Sequence, residues 1–135
     1  MICFVGYNLT GSEWHPGLKI LTETMQERGL RRETVKFFPV GSGTKAQLLQ
    51  LKPSVTVALG NAALRSLVSD SPPPVMQSRG YVFEEDFGPV LATVDPADIN
   101  TNWLPWRLLL SMDLQRAKDL NKNGFKRPLR NVEVV

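Results

Sequence analysis

The sequence has one cysteine, Cys3, and one histidine, His15, in 135 residues. A single cysteine cannot by itself build a disulfide framework, a zinc site or an iron–sulfur site. Lying in the apolar run Ile2-Cys3-Phe4-Val5, it reads as a buried core thiol. A single histidine excludes any mechanism that needs two. No apolar run approaches the ~18 residues that span a bilayer. The first residues have neither a basic start nor a long apolar middle, so they do not read as a secretion signal. These absences lead to the expectation of a soluble protein in a reducing, cytoplasmic compartment, with no membrane partner. Neither Gly-x-x-x-x-Gly-Lys-Ser/Thr nor Gly-x-Gly-x-x-Gly occurs, which removes the two common nucleotide-binding loops. No cofactor is expected.

What is present is ordinary globular material. Hydrophobic residues make up 42% of the chain and charged residues 21%, which argues against disorder. The length suits one domain that buries roughly two-thirds of its surface without a staple. The net charge of +3 is unevenly placed. Residues 1–115 carry ten Lys/Arg against eleven Asp/Glu, while residues 116–135 carry six against two. The tail is therefore basic and the body near neutral. Such a tail is either a solvated connector or a contact for nucleic-acid phosphates.

Short apolar runs alternate with helical patterns. Ile2 to Val5, closed by Gly6, reads as a strand buried on both faces. Tyr7 to His15 reads as a loop, and Pro16 suits a first helical turn. Leu18, Leu21 and Met25 share one helix face, and Gly29 stops the helix. Val35 to Val40 reads as a second strand. Thr44 is expected to cap a short helix ending at Leu51. Ser54 to Gly60 is the clearest strand, and Asn61 is expected to cap a helix from Ala62 to Val68. Ser69 to Pro74 is loop. Tyr81 to Phe83 is an edge strand or irregular, and Pro89 to Val94 is a strand. Asp95-Pro96 reads as a cap followed by a first-turn proline. A last helix is expected from about Trp103 to Leu120, then an extended tail.

Alternating strands and helices predict an α/β fold: three layers, α/β/α, around a central, mostly parallel sheet of about four strands. Residues 1–120 form the domain and 121–135 a basic linker or tail. Ligands of such sheets bind beyond the C-terminal strand ends. That directs attention to Gly6–Pro16, Pro39–Thr44, Gly60-Asn61 and Val94–Asn102. Asp95 is either a pocket carboxylate or a helix cap. Trp14, in a polar loop, either stacks on a base or folds over the core. Trp103 and Trp106 read as core anchors. Gly41-Ser42-Gly43 reads as a turn, with an anion cradle as the sharper alternative.

Four segments carry a resemblance. Leu51-Lys52-Pro53-Ser54-Val55-Thr56-Val57-Ala58-Leu59-Gly60-Asn61-Ala62-Ala63 resembles the "L-K-P-x-v-i-v-A-L-G-x-x-A" pattern of the uracil-DNA glycosylase superfamily, closest to its family 4. Ser78-Arg79-Gly80-Tyr81-Val82-Phe83 is similar to "l-R-G-x-x-f". Pro89 to Ala97 is similar to "p-V-l-p-T-y-H-P-A". Asp113-Leu114-Gln115-Arg116-Ala117 is similar to "D-L-x-x-a". The likeness spans about residues 2–120. It implies a pocket built on Gly6, Tyr7, Trp14 and Pro39, with Asn8 placing water and Arg79 and Gly80 at the mouth on DNA. Lys122, Lys126 and Arg127 would add phosphate contacts.

The departures fall at the chemistry. Asp95 stands where the family has the histidine that stabilises a departing uracil. Pro39 stands near its base-reading asparagine, Leu9 replaces a proline after Asn8, and the cluster cysteines are missing. Similar domains precede the exonuclease in some phage DNA polymerases. The resemblance therefore implies a catalytically degenerate DNA-binding or docking module of phage replication or repair. Its partners would be DNA, uracil-containing or single-stranded, and polymerase, exonuclease or other replication proteins. The alternative is an active glycosylase that hydrolyses the N-glycosidic bond of a flipped base, with Asn8 and Asp95 catalytic.

Overall fold

The structure, a computed structural model, describes residues 1–6, 16–41, 43–68, 72–96 and 104–123. In chain order it contains β1 (Ile2–Gly6), α1 (Pro16–Glu27), β2 (Val35–Pro39), α2 (Thr44–Leu51), β3 (Val55–Leu59), α3 (Asn61–Leu67), α4 (Val75–Ser78), β4 (Val82–Glu85), β5 (Gly88–Thr93) and α5 (Leu104–Asn123). The strands form one sheet in the order β2-β1-β3-β5-β4. All neighbours are parallel except the β4–β5 pair, which is antiparallel. The expected α/β class and three-layer arrangement hold. The sheet has five strands rather than about four, because Val82–Glu85 pairs with β5 along one edge.

From β1 the chain moves one way to β2 and then back across to β3. Crossovers of one hand then need helices on opposite faces. The side chains divide accordingly, because successive strand residues point to opposite faces. Ile2, Phe4, Val55, Val57, Leu59 and Leu91 pack with Leu21 and Met25 of α1 and Leu110, Leu114 and Ala117 of α5. Cys3, Val5, Ala58, Val90 and Ala92 pack with Leu48 of α2, Ala63, Leu64 and Leu67 of α3 and Val75 of α4. Strands β1 and β3 are buried along their whole lengths, as their unbroken apolar runs predict. Burial pushes the Cys3 thiol above its usual pKa.

Helix α1 ends as its sequence predicts. Gly29 adopts φ +73°, Leu30 N–H bonds to Met25 O at 2.9 Å and Gly29 N–H to Gln26 O at 3.1 Å, the double bond of a Schellman motif. Leu30 then joins the same core cluster as Met25. The last turn is also tied to α5. Lys118 Nζ donates to Arg28 O at 2.8 Å, and Arg28 Nε to Ser111 Oγ at 2.7 Å. Arg107 pairs with Glu27.

Four local expectations change. Gly43, not Thr44, holds the cap position of α2; Thr44 Oγ1 instead donates to Pro39 O at 2.6 Å and fixes the exit of β2. Gly60, not Asn61, precedes α3. Asn61 Oδ1 accepts the Val75 N–H at 2.7 Å, so it holds the start of α4. That four-residue helix follows the prolines and was not anticipated. Helix α5 also runs to Asn123, past Leu120.

Candidate functional site

The parallel strands place four segment ends along one rim. Gly6 closes β1 in register with Pro39 of β2. Val5 pairs with Ala58, and Leu59 with Thr93, so Gly60 and Asp95 follow on the same side. The winding of the sheet reverses between the parallel strands β1 and β3, the chain going one way from β1 to β2 and the other way to β3, which makes this rim the switch point of the sheet. Gly6 is buried, Pro39 is exposed and Asp95 is half-buried.

Gly60 sets the local geometry. Its φ is +96°, a value that side chains rarely adopt. Its N–H donates to Thr93 O at 2.9 Å, joining β3 to β5 just where both end. A Cβ at position 60 would lie 2.9 Å from Asp95 Cβ. The bare glycine therefore admits Asp95 over the strand end. The rim thus carries a carboxylate held against a backbone turn.

Behind the rim lies a buried polar cluster. Asp113 of α5 is fully buried. It accepts Arg79 Nε at 2.8 Å and Arg79 Nη2 at 3.1 Å, Thr93 Oγ1 at 2.6 Å and, more weakly, Arg116 Nη1 at 3.4 Å. The paired Arg79 bonds form a fork-to-carboxylate contact, the strong form of a charge-assisted bond. The Arg79 side chain is only 17% exposed. Gly80 follows at φ +85°, with Arg116 Nη1 3.3 Å from where its Cβ would stand. This cluster ties α5 to the turn before β4 and to the end of β5.

The residues proposed from sequence divide into four groups. Gly6, Pro39 and Asp95 share the rim with Gly60. Arg79 and Gly80 belong to the cluster behind it, with the guanidinium directed to Asp113. Lys122 is exposed near the end of α5. Tyr7, Asn8, Trp14, Lys126 and Arg127 lie outside the described residues, as do Trp103 and the tail beyond Asn123. Asp113 is the residue that sequence reasoning missed as a structural centre. Its signal was available: it falls at helical spacing within the buried stripe Leu110, Leu114 and Ala117. A charge on such a face requires partners.

Among the described residues no group of His, Cys, Asp and Glu is arranged to hold a metal ion, and no helix is long and apolar enough to cross a membrane. Compared with known proteins, the chain matches no family model and no curated protein.

Proposed function

We propose that the chain is a uracil-DNA glycosylase-like domain that has lost glycosylase chemistry and serves as a DNA-binding or docking module of phage replication or repair. The observation that carries this reading is where the four resembling segments meet. Arg79 of the second segment, Thr93 of the third and Asp113 of the fourth join in one buried cluster. Gly60 of the first lies against Asp95 of the third. Segments far apart in sequence thus meet behind and along the rim.

The loss of chemistry follows from electrostatics. Cleaving a base from its sugar leaves negative charge on the base, and catalysis needs donors or positive charge aimed at it. An ionised Asp95 carboxylate has the opposite sign. Pro39, at the end of β2, has no side-chain donor to read a base edge. Arg79 is held by Asp113 rather than directed across the rim.

The test is an abasic-site assay on uracil-containing single- and double-stranded DNA, with the parent chain and Asp95→His. The expected result is no release by the parent. Weak activity in the histidine variant would mark a decayed site. Robust release by the parent, abolished by Asn8→Ala, would overturn the proposal in favour of a working glycosylase.

A further inference from the structure

We infer that the corner between α1 and β2 is a second nucleic-acid surface, a groove that takes backbone phosphates at the opposite end of the strands from the rim. The groove is a cleft of about 590 Å³ whose lining includes Gln26, Gly29, Arg31, Arg32 and Glu33. Arg31 and Arg32 are exposed. They precede β2, whereas Pro39 closes that strand at the rim.

Two features separate this corner from an ordinary solvated charge run. First, a cation from a second element stands beside the lining residue Gly29. Lys118 of α5 reaches across to Arg28 O, with its Nζ 3.2 Å from where a Gly29 side chain would begin. Lys122 lies one helical turn further along α5. Lys118 serves the carbonyl end of α1, where positive charge is favoured by the helix dipole. Arg31 and Arg32 stand beyond that helix and do not cap it.

Second, Arg32 is oriented in advance. Its guanidinium carbon lies 5.8 Å from the centre of the Phe37 ring, within cation–π range. That contact restrains the side chain, so less of its freedom is lost when a phosphate is bound. Among the described residues the cleft lining carries one carboxylate. Glu33 lines the cleft, and Glu27 is engaged by Arg107. A phosphate chain meets this arrangement through charge neutralisation and counterion release, without reading sequence.

This goes beyond the function proposed above, because it needs neither a base pocket nor uracil. The test is fluorescence anisotropy of a labelled, uracil-free oligothymidylate with the full chain, at about 50 and 200 mM salt. Arg31→Ala/Arg32→Ala should weaken binding about tenfold at low salt. It should also reduce the slope of log K against log salt by about 1.4, the value for two single-strand phosphate contacts. Arg31→Lys/Arg32→Lys, which keeps the charge, should retain most of the affinity and control for folding. A loss below threefold in the alanine variant, an unchanged slope, or no binding by the parent at low salt would overturn the inference. So would displacement of the oligonucleotide by polyglutamate as efficiently as by unlabelled DNA, which would assign the groove to an acidic protein. Because the strand carries no uracil, failure here and failure of the glycosylase-like reading are read from separate assays.

Discussion

Asp113→Ala tests whether the Arg79 cluster is an internal brace. The carboxylate is fully buried and takes four donors, three of them at 3.1 Å or less. Removing it leaves the Arg79 guanidinium, 17% exposed, without its counter-charge, and leaves the Thr93 hydroxyl without its acceptor. Breaking one partner of a buried ion pair costs about 3–5 kcal/mol. In a domain whose whole stability is about 5–15 kcal/mol, that should lower the thermal midpoint by roughly 10–25 °C. Replacing both partners with apolar side chains, Arg79→Met/Asp113→Leu, removes the stranded charge and should recover most of the loss. The assay is urea denaturation followed by circular dichroism on the parent, Asp113→Ala, and the closed cycle of Arg79→Met, Asp113→Leu and the double variant. Strong non-additivity is the expected signature of a contacting pair. A cost below ~1 kcal/mol for Asp113→Ala, or single costs that simply add in the double variant, would refute the brace. DNA binding adds a second readout: as a brace, Arg79 can be lost in the stable double variant with little change in affinity.

Four further outcomes are expected. Val57→Ala, in the fully buried β3, should cost on the order of 1–3 kcal/mol in the same denaturation assay. Thr56→Val should stabilise by about 1 kcal/mol, because the Thr56 hydroxyl is buried with no hydrogen-bond partner among the described residues. Gly60→Ala should destabilise by about 1–3 kcal/mol, since φ +96° and Asp95 Cβ at 2.9 Å both oppose a side chain there; a neutral result by thermal melting would show that the rim relaxes freely. Cys3 should resist a thiol reagent until the protein unfolds. With its pKa raised by burial, the neutral thiol favours the folded state. That contribution is complete below the ordinary thiol pKa and declines as pH rises through the raised value, which pH-dependent denaturation of parent and Cys3→Ala would reveal.

The central strands were legible because each is a continuous run that only a doubly covered position explains; Val55 to Leu59 has no polar member except Thr56. Strand β4 was less legible. Val82-Phe83-Glu84-Glu85 mixes an apolar pair with two carboxylates, a pattern suited to a sheet edge but also to irregular chain. Helix α4 was hidden by the prolines before it, and its start depends on Asn61, fourteen residues earlier. Asn61 and Thr44 are residue types that cap helices, and sequence points first to the nearest helix. Their actual partners are distant or on the preceding strand. At the rim, the pairing of Gly60 with Asp95 depends on the register of β3 against β5, which local pattern does not carry. The Asp113 cluster joins positions 20 and 34 residues apart, so only the buried helical stripe hinted at it.

The ties between α1 and α5 impose an order on synthesis. The last turn of α1 is fastened by Arg107, Ser111 and Lys118, whose contacts span 80 to 90 residues. Closing a loop of that size costs about 4 kcal/mol of chain entropy beyond a constant, and the contacts that offset it are made only after the final helix has left the ribosome. Until then Leu21 and Met25 lack the Leu110 and Leu114 side of their core. A growing chain therefore carries an apolar seam along α1 until α5 has been made. Arrival of α5 acts as a clasp that closes this seam.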